Sequence, residues 1–392
     1  DLHSLAACNE VGGRRLVAML DEFGIAGVEG MAGTIIENSE KAMLAEIREL
    51  PFGRYSNAMR IDGYDKPVDL VASLTIGADG IDIDFTGTSA VSSYGVNVPL
   101  TYTQAYASFG VRCVGGSSVP NNAGSLAPIR VTAPEGSILN AQPPCAVAAR
   151  HVIGQMLPDV VLGCLYDATG GQVPAEGSSS LWNPMLLGGH GMVGEADYGD
   201  ARPFSVNLFH SGGSGGRPTR DGLSATAFPS GVRNTPVEIN ETLAPVVVWQ
   251  KEYRTDSGGA GRYRGGTGQV MDIRHIEDAP FAVSAMFDRV TYPARGRHGG
   301  CPGAQGALRL KSGRVLKAKG RQTVPQGETL VMAMPGGGGY GDPFQRDAQA
   351  VAADVLNGLV SVEAARRDYG VACSAAGVLD QEETARLRAS GT

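Results

Sequence analysis

"DSGGAGRYRGGTG", Asp256 to Gly268, places six glycines, two arginines and a tyrosine in thirteen positions. So much glycine does not sustain a helix. It leaves two physical uses for the residue: backbone turned through positive φ, or backbone brought close to another group. Short apolar runs recur around it, with "PVVVWQKEYR" from Pro245, "FAVSAMF" from Phe281, "ALRLKSG" from Ala307, "RVLKAKG" from Arg314 and "ETLVMAM" from Glu328. Such runs, separated by turn residues, indicate an antiparallel β layer.

Outward from this region the period changes to that of helices. Toward the C-terminus, "RDAQAVAADVLNG" and "SVEAARRDYG" have helical spacing, with Ser361 placed to cap the second helix and Gly370 to end it. "DQEETARLR" carries Asp380 and Glu383 at capping-box spacing. Toward the N-terminus, "CAVAARHVIGQM" reads as helical up to Pro158, and a helix is expected from about Thr101 to Val114. "VDLVASLTIGADGIDIDF" alternates, with Ile81, Ile83 and Phe85 on one face, Asp82 and Asp84 on the other, and a turn at Ala78-Asp79-Gly80, which predicts a β-hairpin. Two helices precede it, the first interrupted by Gly12-Gly13 and stopped by Gly24, the second running from Glu29 to about Glu49. Both set charges opposite an apolar face and are expected to pack on the body of the protein.

The chain is therefore read as α+β. N-terminal helices and a β-hairpin layer occupy residues 1–169, a glycine-rich antiparallel β region 170–345, and a helical C-terminal tail 346–392, as separate regions or as one compact unit. With 392 residues and 42% hydrophobic content it has enough material for a sizeable core. The net charge of −7 and the scattering of arginines among glycine loops argue against a nucleic-acid surface. No run of about eighteen apolar residues is present to span a membrane, and no charged-then-apolar leader is visible, so the expected location is the cytoplasm. Six cysteines without a CxxC pair read as ordinary thiols. Asp1 already lies in a helical pattern, which gives the expectation that the chain is part of a longer product.

Several groups are candidates for chemistry. Arg262 and Arg264 alternate along an extended segment beside Asp256 and would clamp a carboxylate or phosphate from one side, or else sit in exposed turns. Arg150 and His151 follow a proline-rich loop, where they would edge a pocket. His210 in "FHSGGSGG" and His298 in "RGRHGG" would each offer one ligand across space, but no histidine pair has metal-binding spacing, and no metal ligand is assigned in this chain. "GGGGYGDP" at Gly336 lacks the lysine and Ser/Thr of a phosphate loop. No catalytic residue is assigned.

The ordered series is more specific than any one motif: "DFTGTS" at Asp84, "NVP" at Asn97, "NNAG" at Asn121, "AARH" at Ala148, "NTPVEINE" at Asn234, "DSGGAGRYRGGTG" at Asp256, "RHGGCPGA" at Arg297, "PGGGGYGDP" at Pro335 and "YGV" at Tyr369. It closely resembles the hydantoinase B/oxoprolinase family from end to end of the chain. The resemblance implies a B-type subunit of an ATP-dependent enzyme that opens a cyclic amide such as hydantoin, N-methylhydantoin or 5-oxoproline. It equally admits a subunit of a ketone carboxylase of the acetone or acetophenone type, or a non-catalytic scaffold subunit. It implies a hetero-oligomer whose hydantoinase A-type ATPase partner holds ATP and Mg. It also implies a divalent metal of the Mn or Zn type in an N-terminal family segment with a "NDPY-x-GGTH-x-x-D"-type stretch, which this sequence does not contain. Backbone amides with Arg262 or Arg264 would then stabilise the developing anion.

Overall fold

The structure is a computed structural model that describes residues 1–179, 181–191, 201–226 and 228–390. It is an α+β fold in which helices flank antiparallel sheets.

The hairpin forms where the alternation placed it. Strands Gly53–Ile61, Val68–Gly77 and Gly80–Asp84 run antiparallel, and Ile129–Thr132 joins the last of them in parallel. Ile81, Ile83 and Phe85 are buried, while Asp82 pairs with Arg130 at 2.6 Å on the solvent side. Helices Leu100–Arg112 and Leu157–Ala168 cover the apolar face and, with Met43 and Ile47 of helix Glu29–Arg48, close the first core.

Two helical expectations need correction. Pro158 does not follow a helix; it stands in the first turn of Leu157–Ala168, where its missing N–H would have had no partner anyway. Only the single turn His151–Gly154 is helical in the stretch before it. The first helix, Leu2–Phe23, runs unbroken through Gly12 and Gly13 and buries none of its residues, so Leu2, Leu5, Val17 and Phe23 remain exposed. Its own hydrogen bonds hold it, since two glycines weaken a helix interior only by about 1 kcal/mol each.

Two four-stranded antiparallel sheets form the second core. One has the order Ala307–Leu310, Leu330–Ala333, Gln269–His275, Val246–Tyr253; the other Lys319–Val324, Phe281–Met286, Met185–Gly188, Phe204–Asn207. Between them lie Trp182 and Phe287, stacked at 4.3 Å, with Phe281, Leu186 and Met332. The C-terminal helices Ala348–Leu356 and Val362–Tyr369 make a third, small core.

The glycine-rich stretches belong to neither helix nor sheet. Extended segments around 174–179, 211–217, 257–268, 294–304 and 335–342 run side by side and hydrogen-bond laterally. The last of these is the hub. Gly336 donates to Ala304 and Gly339 to Cys301 in one neighbour; Gly337 donates to Gly266 and Tyr340 to Tyr263 in a second; Gly338 donates to Glu176 in a third. In the first two cases donors three residues apart address the same neighbour, the three-residue repeat of a polyproline II-type helix, which has no internal hydrogen bonds and leaves its backbone free for such pairing. The backbones lie so close that a Cβ on Gly337, Gly339 or Gly265 would stand under 3.0 Å from a neighbouring carbonyl oxygen. None of Gly258, Gly259, Gly265, Gly266, Gly336, Gly337 and Gly339 has positive φ, so close approach and not turning is what these supply. Backbone carbonyls here take the place that side chains hold in an ordinary core.

Candidate functional site

Charged side chains enter this lattice where it meets the Leu157–Ala168 helix. Glu176 sits in one lattice segment, Arg295 and Arg297 in another, Arg289 follows the strand Phe281–Met286, and Asp159 comes from the first turn of the helix. Glu176 is 1% exposed. It accepts from Arg295 Nε at 2.6 Å, Arg295 N at 3.0 Å and Arg289 Nη1 at 3.2 Å. Burial alone would raise its pKa, but the charges of Arg289 and Arg295 outweigh that and hold the carboxyl below its usual range, so Glu176 is ionised.

Asp159 lies on the other side of this balance. Its Oδ2 accepts from Gly177 N at 2.9 Å and from the Ser179 hydroxyl, and Arg289 stands 3.9 Å away. Burial and the nearby Glu176 charge push its pKa up to about 6 despite Ser179, Arg289 and Arg297. The two carboxyls have environments that drive their protonation apart, an arrangement that supplies an acid and a base at one pH.

Arg297 is the unspent cation of the group. Nη2 donates to the Asp159 carbonyl at 3.1 Å, but Nη1 is buried and has no hydrogen-bond partner among the described residues. Burial lowers its pKa, and a guanidinium N–H left unpaired in such a place calls for an acceptor. Beside it His298, held at φ 54°, stacks on Tyr340 and shares a 2.8 Å hydrogen bond between Nδ1 and the Tyr166 hydroxyl. Arg289 also has positive φ, 65°, so two residues of this cluster hold backbone conformations that side chains seldom adopt.

Together Asn57, Tyr166, Glu176, Arg295, Arg297 and His298 line a cavity of about 320 Å³. Two cationic side chains border it, which suits a small anion by charge, although Arg295 Nε and Nη2 are engaged by Glu176 and Arg297 Nη2 by the Asp159 carbonyl. Glu176 faces this cavity, while Pro174, Ala175 and Gly177 of the same extended segment line a second one of about 380 Å³, with Asp159 in its wall.

Of the residues singled out from sequence, His298 lines this cavity and the others lie elsewhere. Arg264 is buried, its Nε 3.2 Å from Asp354 and its backbone N–H on Asp221, which Arg346 grips with both terminal nitrogens at 2.6 and 2.7 Å. Arg262 is exposed over the Tyr263 ring and borders a separate cavity of about 470 Å³ with Arg220 and Arg346. The two arginines thus do not project together. Asp256, at φ 59°, accepts from Ser361 N at 2.7 Å and fastens the lattice to the C-terminal helices. Arg150 is exposed over the Tyr102 ring, and burial lowers the pKa of its neighbour His151. His210 pairs across a two-stranded ladder with Trp182; burial, aided by Lys251, pushes its pKa down to about 3 and keeps it neutral. Sequence reasoning missed Asp159, Glu176, Arg289, Arg295 and Arg297. The signal available was "RGRHGG" at Arg295, which has the same R-x-R spacing as "RYR".

Among the described residues no group of three or more His, Cys, Asp or Glu side chains could hold a metal ion. The divalent metal implied by the family resemblance is assigned by it to the N-terminal family segment and not to these residues. No helix among them is long and apolar enough to cross a membrane.

Comparison with known proteins gives a family. Residues 1–343 match the model described as hydantoinase B/oxoprolinase. The B-type chain of a putative D-/L-hydantoinase from Pseudomonas sp. (strain NS671) is 29% identical over 99% of this chain and 67% of its own length. Among solved structures, the ATP-dependent caprolactamase from Pseudomonas jessenii superposes with a TM-score of 0.85 at 24% identity, over 99% of this chain and 69% of that one. Nucleotide-free acetone carboxylase superposes with a TM-score of 0.79 at 21% identity, over 96% of this chain and 57% of that one. At those identities the two structures speak to the fold.

Proposed function

The chain belongs to the hydantoinase B/oxoprolinase family, and from that premise we propose that it is the B-type subunit of an ATP-dependent amidohydrolase that opens a cyclic amide such as hydantoin, N-methylhydantoin or 5-oxoproline. A hydantoinase A-type partner in a cytoplasmic hetero-oligomer would use ATP with Mg to phosphorylate the ring carbonyl oxygen. This chain's residues then receive the activated ring. The observation that carries the reading is the buried Arg297 Nη1, without a partner among the described residues, at the edge of a cavity that also presents Arg295 and His298.

Arg295 and Arg297 hold the phosphoryl oxygens through charge-assisted contacts. Water adds to the phosphorylated ring carbon, the ring C–N bond breaks and phosphate leaves, and the His298 ring, oriented by Tyr166, is placed to move a proton from that water to the departing ring nitrogen. The bonds of Glu176 to Arg289 and Arg295 keep the cation pair from drifting. No step is assigned to a metal.

A second reading is a ketone carboxylase subunit, supported by the shared fold with acetone carboxylase. The same cations would then hold a carboxyphosphate-like anion. The deciding experiment measures ADP release after reconstitution with the ATPase partner, using hydantoin, 5-oxoproline and acetone, each with and without labelled bicarbonate. Ring opening without label uptake is expected; stable label in an acid product makes the enzyme a carboxylase, and silence throughout leaves a scaffold. Arg297→Met is expected to lower kcat/KM at least ~100-fold, in the range seen when one oxyanion-type donor is removed. Full activity in that variant removes the cavity from the mechanism.

A further inference from the structure

The cavity that Arg262 borders, of about 470 Å³, lies where three parts of the chain meet: the turn Arg217–Arg220, the lattice at Arg262 and Tyr263, and the start of the Ala348–Leu356 helix. Each part has a fixed backbone. Arg217 and Arg220 exchange backbone hydrogen bonds at 2.8 and 3.4 Å, Arg262 N donates to Gly341 and its carbonyl accepts from Arg346 Nη1, both at 3.1 Å, and Asp347 Oδ1 caps Gln349 N at 3.1 Å. Beneath them charges cancel. Arg264 and Arg346 share Asp354, and Asp221 takes both terminal nitrogens of Arg346, so two arginines meet two aspartates. Arg220 and Arg262 are different: among the described residues neither guanidinium makes a hydrogen bond or ion pair, and that of Arg262 lies over the Tyr263 ring at 5.7 Å. The lining carries three arginines, at 220, 262 and 346, against two aspartates, at 221 and 347. Arg346 is 4% exposed, and its buried Nε has no partner among the described residues.

We infer that this cavity binds a phosphate group, free or as the end of a small monoester, and that the bound anion braces the C-terminal helices against the glycine lattice. Positive charge reaches the cavity from three parts of the chain: Arg220 from the turn, Arg262 from the lattice, and Arg346 with the helix N-terminus from the tail. A tetrahedral oxyanion has oxygens for all three, whereas a carboxylate presents two oxygens in one plane, enough for a single guanidinium fork. The first turn of the nine-residue helix adds the positive end of its dipole. The volume exceeds that of the ion and leaves room for an organic substituent. An anion in contact with all three parts adds to the tie that Asp221, Asp354 and their arginines already make. No lining residue is shared with the Arg297 cavity, and the inference does not depend on the amidohydrolase reading.

The test is titration calorimetry of the full chain with inorganic phosphate, α-glycerophosphate and acetate, at an ionic strength held constant with chloride. Because the Arg297 cavity also suits an anion, every titration is repeated in Arg297→Met. Saturable phosphate binding is expected to persist in that variant, with acetate about tenfold weaker, the equivalent of one charge-assisted hydrogen bond lost. Arg220→Ala and Arg262→Ala, added singly to Arg297→Met, should each weaken phosphate binding about fivefold, as for an exposed ion pair. Together they should abolish it and leave the thermal unfolding midpoint of the ligand-free protein unchanged, since both side chains are exposed. Phosphate should also slow proteolytic loss of the C-terminal helices several-fold in Arg297→Met and not in the chain that lacks all three arginines. Tighter binding of α-glycerophosphate than of inorganic phosphate assigns the site to an ester, and the reverse to the free ion. Absence of saturable phosphate binding in Arg297→Met, acetate binding as tight as phosphate, phosphate binding that survives loss of Arg220 and Arg262, or proteolysis indifferent to phosphate overturns the proposal.

Discussion

At Gly337 an added Cβ would stand under 3.0 Å from the carbonyl oxygen of Ser214, whereas at Gly33, inside the second helix, it would meet nothing within 4 Å. Gly337→Ala should therefore lower stability by at least about 3 kcal/mol, since backbone cannot rotate aside as a side chain can. Gly33→Ala should raise it by up to about 1 kcal/mol through helix propensity. Urea unfolding of the two variants checks both signs. Asp159 gives a pH signature at the same scale. Its folded pKa of about 6 lies above the ordinary 3.8, so the unfolded chain ionises first as pH rises. Below about pH 4 the group contributes nothing to the difference; from there to about 6 the native state loses stability, and above 6 the full penalty remains. Asp159→Asn lacks this component. Relative to wild type, the variant should gain stability from pH 4 to 6 and then run parallel; a constant difference across the range would mean that Asp159 is not shifted.

Among elements, the legible ones were those whose signals are local. The hairpin declares itself by alternation at Ile81, Ile83 and Phe85, and the C-terminal helices by caps that form as read: Ser361 Oγ accepts from Ala364 N, Gly370 takes φ 60°, and Asp380 accepts from Glu383 N. The lattice was not legible, because the carbonyls that forbid a Cβ come from segments spread between Ala175 and Gly339. The same limit hid the charged cluster. Arg262 and Arg264 and Arg295 and Arg297 share one spacing, and only their neighbours assign Arg264 to a buried ion pair and Arg297 to a cavity. Asp159 gave no signal, since a first-turn aspartate on a helix is ordinary until burial and Glu176 are known. The buried Arg264–Asp354–Arg346 group ties the lattice to the C-terminal helices. Asp354→Ala strips a partner from both arginines and should cost about 3 kcal/mol, with earlier proteolytic loss of the C-terminal helices. An unchanged melting profile would show that the tail is held by its apolar core alone.

For the whole molecule, the lattice is where the pieces meet. Arg297 joins it to the first core through Asp159, Gly268 to the second through the Met334 strand end, and Asp256 to the third through Ser361. The Leu2–Phe23 helix stands outside this arrangement. Deleting residues 1–24 should leave the stability of the remaining chain within about 0.5 kcal/mol, because no buried contact is lost. A larger drop in calorimetry would mean that the helix is held against the body in solution. The glycine hub has a further effect on how this protein would answer a mutational survey. Every replacement of glycine adds at least a Cβ, so Gly336, Gly337, Gly338 and Gly339 have no tolerated alternative, conservative or otherwise. A saturation library scored only for soluble product would show its deepest and most continuous band of intolerance there, in residues that offer no side chain to any substrate. A reader of that map alone would mistake the scaffold for the active centre.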